Sequence, residues 1–190
     1  MISGSNYAEN ACKDGWVEHD GHCYYLSSSN NTKSWTAAED FCQAEGGHLA
    51  SMANAALKDH VLNEMASYGL NQIWLGGNDI KEEGEWNWND CTPWNVSFWA
   101  KWEPTKSKHE NCLTLVLNFP SQTHLNKKWN NKNCDYKLSF LCQEKIRLGQ
   151  NNVDKGNFLC ITFLQNLIRT PQRTSKSGIL WIEKVWTQIM

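Results

Sequence analysis

Ile73-Trp74-Leu75-Gly76-Gly77, with Trp86-Asn87-Trp88 following it, is the stretch that decides how this 190-residue chain folds. A short apolar run containing a β-branched residue and an aromatic, closed by glycines, reads as a strand rather than a helix. Upstream the period is helical. Asn54 to Tyr68 places Leu57, Val61, Met65 and Tyr68 on one face and stops at Gly69. Trp35 to Glu45 repeats the design, with Trp35, Ala38, Phe41 and Cys42 on one face, Ser34 as N-cap and Gly46-Gly47 as the stop. Downstream, Leu113–Leu117 and Phe140–Cys142 read as further short strands between polar loops rich in Asn and Gly. Two early helices followed by a loop-rich sheet predict an α+β domain. The irregular stretch from Asn89 to Asn111 is unusually long; in a compact domain such loops are functional or held by ligands and crosslinks.

Composition narrows the class. Apolar residues make up 41% of the chain, enough for a core. Eighteen basic against 20 acidic residues leave a net charge of −2, which gives no electrostatic case for a nucleic-acid or membrane-surface protein. No apolar run approaches the length of a membrane span; the greasiest, Phe158 to Ile168, is interrupted by Gln165 and Asn166. The 11 tryptophans predict packing by large, stiff side chains. The eight cysteines contain no C-x-x-C pair, which speaks against common zinc modules and for disulfides in an oxidising, extracellular setting. The opening MISGSNYAENAC has no basic-then-apolar leader, so the expectation is that a leader is missing from this sequence. The sequons Asn30-Asn31-Thr32 and Asn95-Val96-Ser97 suit an exported glycoprotein with glycans on Asn30 and Asn95.

Charge divides the chain near Cys142. Residues 1–143 hold 11 Lys, no Arg and 17 acids, a net of −6, whereas residues 144–190 hold seven basic and three acidic residues, a net of +4. The tail shows no sustained period long enough for a core of its own. Residues 144–190 are therefore expected to form a poorly ordered extension, the competing reading being a membrane-surface or partner-binding helix.

The wider pattern is recognisable. Cys12…Cys23-Tyr24, the helix carrying Cys42, Trp74-Leu75-Gly76-Gly77, Trp86-Asn87-Trp88, Trp99, Trp102-Glu103-Pro104, Cys112, Trp129-Asn130 and Cys134…Cys142 together resemble the long form of the C-type lectin-like domain, in the family's order and spacing. The match runs from Cys12 to Gln143 and leaves residues 1–11 as an N-terminal extension. The resemblance implies an α+β fold of two helices, small antiparallel sheets and a long disulfide-stabilised loop region, with Trp74 packed in the core. It pairs the cysteines as Cys12–Cys23, Cys42–Cys142 and Cys112–Cys134; spacing alone does not choose among the 15 connectivities of six cysteines. Cys91 and Cys160 are left over. Cys91, in a loop, suits an interchain disulfide joining a dimer or a capped thiol, with a Cys91–Cys160 bridge the less favoured option.

Lectins of this family hold sugars through a calcium ion that takes oxygen ligands from the protein and two neighbouring hydroxyls from a hexose. Carried over singly, the resemblance makes Glu103, Glu110 and Asn130 ligands of the primary site and implies a cis peptide before Pro104. Two further positions depart from the pattern. Thr105 stands where Asn or Asp is usual, and Asn131 replaces an Asp, so three carboxylates become two. Extracellular calcium modules bind at only about 10⁻⁴ to 10⁻³ M, an affinity tuned by ligand charge, so this primary site is degenerate. The E-P-x tripeptide implies mannose-type diols rather than galactose. Asp79 and Glu83 match two ligands of the family's auxiliary calcium site, where Lys106 stands in the place of an acid.

A charge reading points elsewhere. Lys101, Lys106, Lys108, Lys127, Lys128, Lys132 and Lys137 are seven of the domain's 11 lysines. Brought together, they offer a basic face to sulfated or sialylated glycans without metal. His19 and His22 flank Asp20-Gly21 in an expected hairpin turn and read as surface polar residues. Enzyme readings lack support, since H-E-x-x-H, G-x-S-x-G, G-x-x-x-x-G-K-S/T and G-x-G-x-x-G are all missing. The expectation is a non-enzymatic, extracellular, calcium-assisted glycan-recognition domain of innate-defence or cell-surface type, with glycans or glycoproteins as partners. The alternative is a lectin-like domain that has lost the calcium and sugar site and recognises a protein or an anionic glycan.

Overall fold

Residues 12–146 are described by the computed structural model. The expectations for residues 1–11, for the tail beyond residue 146 and for Cys160 lie outside the described residues. The chain enters through a hairpin, β1 (Val17–His19) and β2 (His22–Leu26). Its two turn residues, Asp20 and Gly21, both take positive φ (49° and 74°), the backbone that matches the twist of the flanking strands.

Helix α1 (Trp35–Ala44) begins at Ser34, whose side chain accepts from Ala37 N–H at 3.4 Å. Its buried residues are Trp35, Ala38, Glu39 and Cys42. Phe41, expected inside, is half-buried and packs at the rim against Tyr25 and Phe140. A carboxylate takes the interior place because it has donors there. Glu39 accepts from Leu49 N–H (2.8 Å), Gln43 Nε2 (2.7 Å) and His48 Nδ1 (2.6 Å), which ties the helix to β3 (His48–Leu49). Burial alone would raise the Glu39 carboxyl, but these hydrogen bonds and one from Asn89 hold it below the usual carboxylate range, and its own bond to His48 raises the imidazole. Helix α2 (Ala55–Ser67) is capped by Asn54, which accepts from Leu57 N–H at 2.8 Å, and it buries Leu57, Val61, Leu62 and Met65. Tyr68, expected on that face, lies past the last helical residue and is exposed.

The remaining strands are β4 (Gln72–Asn78), β5 (Asn87–Trp88), β6 (Cys112–Val116), β7 (Lys128–Lys132) and β8 (Ser139–Lys145), with a short 3-10 turn, η1, over Thr123–Leu125. They complete a sheet of order β1-β2-β8-β4-β6-β7, with β3 added to β8 and β5 to β4. The antiparallel pieces are joined by one parallel pairing, β4 with β8, at Ile73↔Ser139 and Trp74↔Phe140. Strands of similar length from both ends of the domain thus meet, because β8 sits between β2 and β4.

The opening motif is the hub. Trp74 is fully buried and donates from Nε1 to Lys33 O (3.0 Å), while Trp35 Nε1 donates to Leu75 O (2.8 Å). At Gly76 a Cβ would lie 2.3 Å from Leu49 O, so only glycine lets β3 pass this close to β4. The bridges Cys12–Cys23, Cys42–Cys142 and Cys112–Cys134 are formed. Cys91 is itself disulfide-bonded. It is therefore not the spare thiol that the sequence left for a dimer or a cap. Among the described residues no helix is long and apolar enough to cross a membrane. Asn30 and Asn95 are both exposed.

Candidate functional site

β7 pairs antiparallel with the buried strand β6, Leu113 opposite Asn131 and Leu115 opposite Trp129. Alternation sends Trp129 and Asn131 inward, leaving Asn130 half-buried between them. A loop lies against the start of this strand: Trp99 bridges Trp129, and Ala100 N–H donates to Trp129 O at 2.9 Å. The loop then turns sharply. Glu103 N–H returns to Ala100 O (3.1 Å), Trp102 takes a left-handed φ of 72°, and Glu103–Pro104 is cis, as the resemblance implies. A second turn, Glu110 N–H to Ser107 O at 2.9 Å, brings Glu110 back beside Thr105.

The result is a closed hydrogen-bond knot. Thr105 N–H is shared between Glu103 Oε2 and Asn131 Oδ1, both at 3.0 Å. The Thr105 hydroxyl donates to Glu110 Oε2 at 2.8 Å. Asn131 Nδ2 donates to Thr105 O (3.0 Å), Thr105 Oγ1 (3.1 Å) and Glu110 O (2.8 Å). The amide orientation follows from its neighbours: Thr105 N–H requires an acceptor and the two carbonyls require a donor. Burial pushes the Glu103 carboxyl above the usual carboxylate range, and nearby Glu110 adds to this, against the Thr105 N–H and His124.

Glu103, Thr105, Glu110 and Asn131 are therefore brought together, with Asn130 next along the strand; the backbone O of Asn130 accepts the Thr114 hydroxyl. Their donor set does not fit a resident calcium ion in the arrangement the resemblance implies. A cation requires several oxygens with lone pairs free to converge. Here Glu103 Oε2, Asn131 Oδ1 and Glu110 Oε2 already accept from the Thr105 N–H and hydroxyl, and Asn131, only 1% exposed, turns its NH₂ group to Thr105 O, Thr105 Oγ1 and Glu110 O. At the auxiliary position, Asp79 is buried and its Oδ2 accepts from Gly84 N–H (2.8 Å), closing the turn, while Glu83 stays exposed. Asp79 Oδ1 and Asn111 Oδ1 are buried acceptors without a partner among the described residues. Among the described residues no three His, Cys, Asp or Glu side chains gather to hold a metal ion.

The segments that carry and flank the knot are rich in lysine. Lys101, Lys106, Lys108, Lys127, Lys128 and Lys137 are exposed, and Lys132 is half-buried over the Tyr136 ring, 4.2 Å from its centroid. None of the seven forms an ion pair with another described residue. Tryptophan was expected to do much of the packing, and Trp102 departs from that, being 72% exposed. The available signal was its place between Lys101 and Glu103, with no apolar neighbour in the chain other than Ala100.

Residues 31–144 match the model of the lectin C-type domain. The chain is 32% identical over 143 residues to the galactose-specific lectin nattectin of Thalassophryne nattereri, an alignment covering 73% of this chain and 84% of nattectin. It is 34% identical over 134 residues to human C-type lectin domain family 17, member A, covering 70% of this chain and spanning 32% of that longer protein. Among solved structures, the C-type carbohydrate-recognition domain of cow CD23, determined in the presence of a GlcNAc2Man3 oligosaccharide, superposes with a TM-score of 0.62 at 26% identity, over 73% of this chain and 99% of that one. Fold, disulfide frame and sequence match together make this chain a member of the C-type lectin domain family.

Proposed function

We propose that the domain is a glycan-recognition module of an exported protein that binds its ligand without a resident calcium ion and does not transform it. The observation that carries this reading is the Asn131 side chain, whose NH₂ group cross-links Thr105 and Glu110 (2.8–3.1 Å) where the family pattern has a metal-binding carboxylate. The knot does the mechanical work of an ion: it fixes the cis turn against β7 and keeps the loop folded. It ties one oxygen of each of the two convergent carboxylates, Glu103 and Glu110, to Thr105, which argues against the mannose-type chelate implied by the E-P-x tripeptide. Relatives favour carbohydrate as the ligand class without choosing the sugar, one being named galactose-specific and another solved with a mannose-containing oligosaccharide. Three disulfides between described residues, and two exposed sequon asparagines, favour an extracellular setting.

The test is a glycan array probed with the full chain, once with millimolar calcium and once with EDTA. The expected result is the same set of bound glycans at similar intensity in both. Binding abolished by EDTA overturns the metal-free mechanism, and binding to no glycan overturns the carbohydrate reading in favour of a protein ligand.

A further inference from the structure

Nine of the chain's tryptophans lie in the described residues, and eight of them belong to, or pack against, the apolar cores: Trp35, Trp74, Trp88 and Trp129 are buried, while Trp16, Trp86, Trp94 and Trp99 lean on the same clusters. Trp102 does not. It is 72% exposed, more than any other exposed large apolar side chain among the described residues. Its backbone is also unusual, because φ of 72° is a conformation that bulky residues rarely adopt. Such strain persists only where the surroundings enforce it, and it recurs at ligand-contacting positions. Here the enforcing elements are the Glu103-to-Ala100 turn and the hydrogen-bond knot on Thr105 that follows it.

The ring stands in a positive setting. Lys101 Nζ lies 4.4 Å from the indole centroid, and His124 meets the ring edge-on with centroids 5.6 Å apart. His124 belongs to η1, which runs within a few residues into Lys127 and Lys128, and the next residue, Trp129, receives the Ala100 N–H. His124 thus sets η1 against the exposed indole, Lys127 and Lys128 follow it within four residues, and neither they nor Lys101 forms an ion pair with another described residue. An indole face takes the C–H face of a pyranose ring, and ammonium groups take a sulfate or carboxylate.

We propose that Trp102 is the stacking platform of an anionic-saccharide site, with Lys101, Lys127 and Lys128 as the groups that receive the ligand's sulfate or carboxylate. This rests on the metal-free reading above and adds the ligand class and the residues that select it. The position is tuned for exposure: glycine would relieve the backbone at 102, yet a tryptophan is held there facing solvent.

The experiment measures, in EDTA and by surface plasmon resonance, binding of the full chain to a heparin-derived tetrasaccharide, to sialyllactose and to uncharged lactose. The expected result is binding of one or both anionic sugars, weakened by added salt, and none of lactose; which anionic arm binds separates sulfate from sialic acid as the source of charge. Trp102→Gly, which suits the left-handed backbone and so keeps the fold, weakens binding about tenfold, and Trp102→Phe retains most of it. Lys127→Gln with Lys128→Gln weakens binding and flattens its salt dependence. Wild-type affinity in Trp102→Gly, or equal binding of lactose, overturns this site while leaving EDTA-insensitive recognition standing. Binding lost in EDTA overturns both.

Discussion

One amide nitrogen at position 131 reverses what the 103–110 loop requires from its surroundings. With Asp in its place, both N–H donors and the three contacts they make would vanish and a third carboxylate would join Glu103 and Glu110; with Asn, position 131 adds only neutral hydrogen bonds. Asn131→Asp is therefore expected to destabilise the domain in EDTA by about 2–4 kcal/mol, and calcium is expected to restore part of the loss, most fully when combined with Thr105→Asn. Thermal melts with and without calcium check this, and an Asn131→Asp domain as stable as wild type in EDTA contradicts the knot. The Glu39–His48 pair carries the pH dependence. His48 is raised by its bond to Glu39, so its contribution is complete below its ordinary 6.5 and is lost as pH rises through the higher folded value. Glu39 is lowered, so its contribution is present above its ordinary 4.5 and is lost as pH falls through the folded value. Urea unfolding is expected to show the difference between wild type and Glu39→Gln shrinking from pH 6 to pH 8; a constant difference would mean the pair is not coupled to folding.

Elements in this domain are placed by close approaches rather than by length. β3 is two residues long, yet it sits on β8 and crosses β4 at Gly76, where Leu49 O would be 2.3 Å from any Cβ. Gly76→Ala is expected to cost about 2–3 kcal/mol, because both contacting atoms are backbone and neither can yield without unpairing a strand. Helix α2 depends instead on its cap: Asn54→Ala is expected to cost about 1 kcal/mol. Circular dichroism and urea midpoints on the two variants check both, with the larger loss at Gly76. Both helices, with their caps, were legible from period and cap residues. β1, β2, β3 and β7 were not named as strands, although the hairpin turn at Asp20-Gly21 was expected, since two to five residues without a sustained apolar alternation leave little signal. Their pairing comes from neighbours far along the chain, such as Leu115 opposite Trp129.

At the scale of the molecule, stability rests on a small core closed by crosslinks. Cys42–Cys142 spans 100 residues and ties α1 to β8, whereas Cys12–Cys23 spans 11 and braces a hairpin. Chain entropy assigns the first about 4.7 kcal/mol and the second about 3. Replacing Cys42 and Cys142 by Ala is therefore expected to lower the urea midpoint well beyond the loss on replacing Cys12 and Cys23. Equal losses would show that the long loop is already ordered before the bridge forms. The Trp88, Trp94, Trp99 and Trp129 rings, with neighbouring centroids 4.5–6.4 Å apart, hold the long loop from inside. This explains how a stretch with almost no regular structure holds a defined conformation.

The order of cysteines, tryptophans and glycines along this chain was enough to place it by resemblance in its family and fold, while local period and cap residues located the two helices. Thr105, Asn131 and Lys106 were visible as departures from a calcium site, but only as departures. Tertiary structure alone decided that Asn131 turns its NH₂ inward to Thr105 and Glu110, that Glu39 rather than Phe41 enters the core, and that Trp102, among the tryptophans of the described residues, faces solvent. The reason is physical: whether a polar group donates, accepts or is buried depends on partners brought from elsewhere in the chain, and no local pattern encodes them.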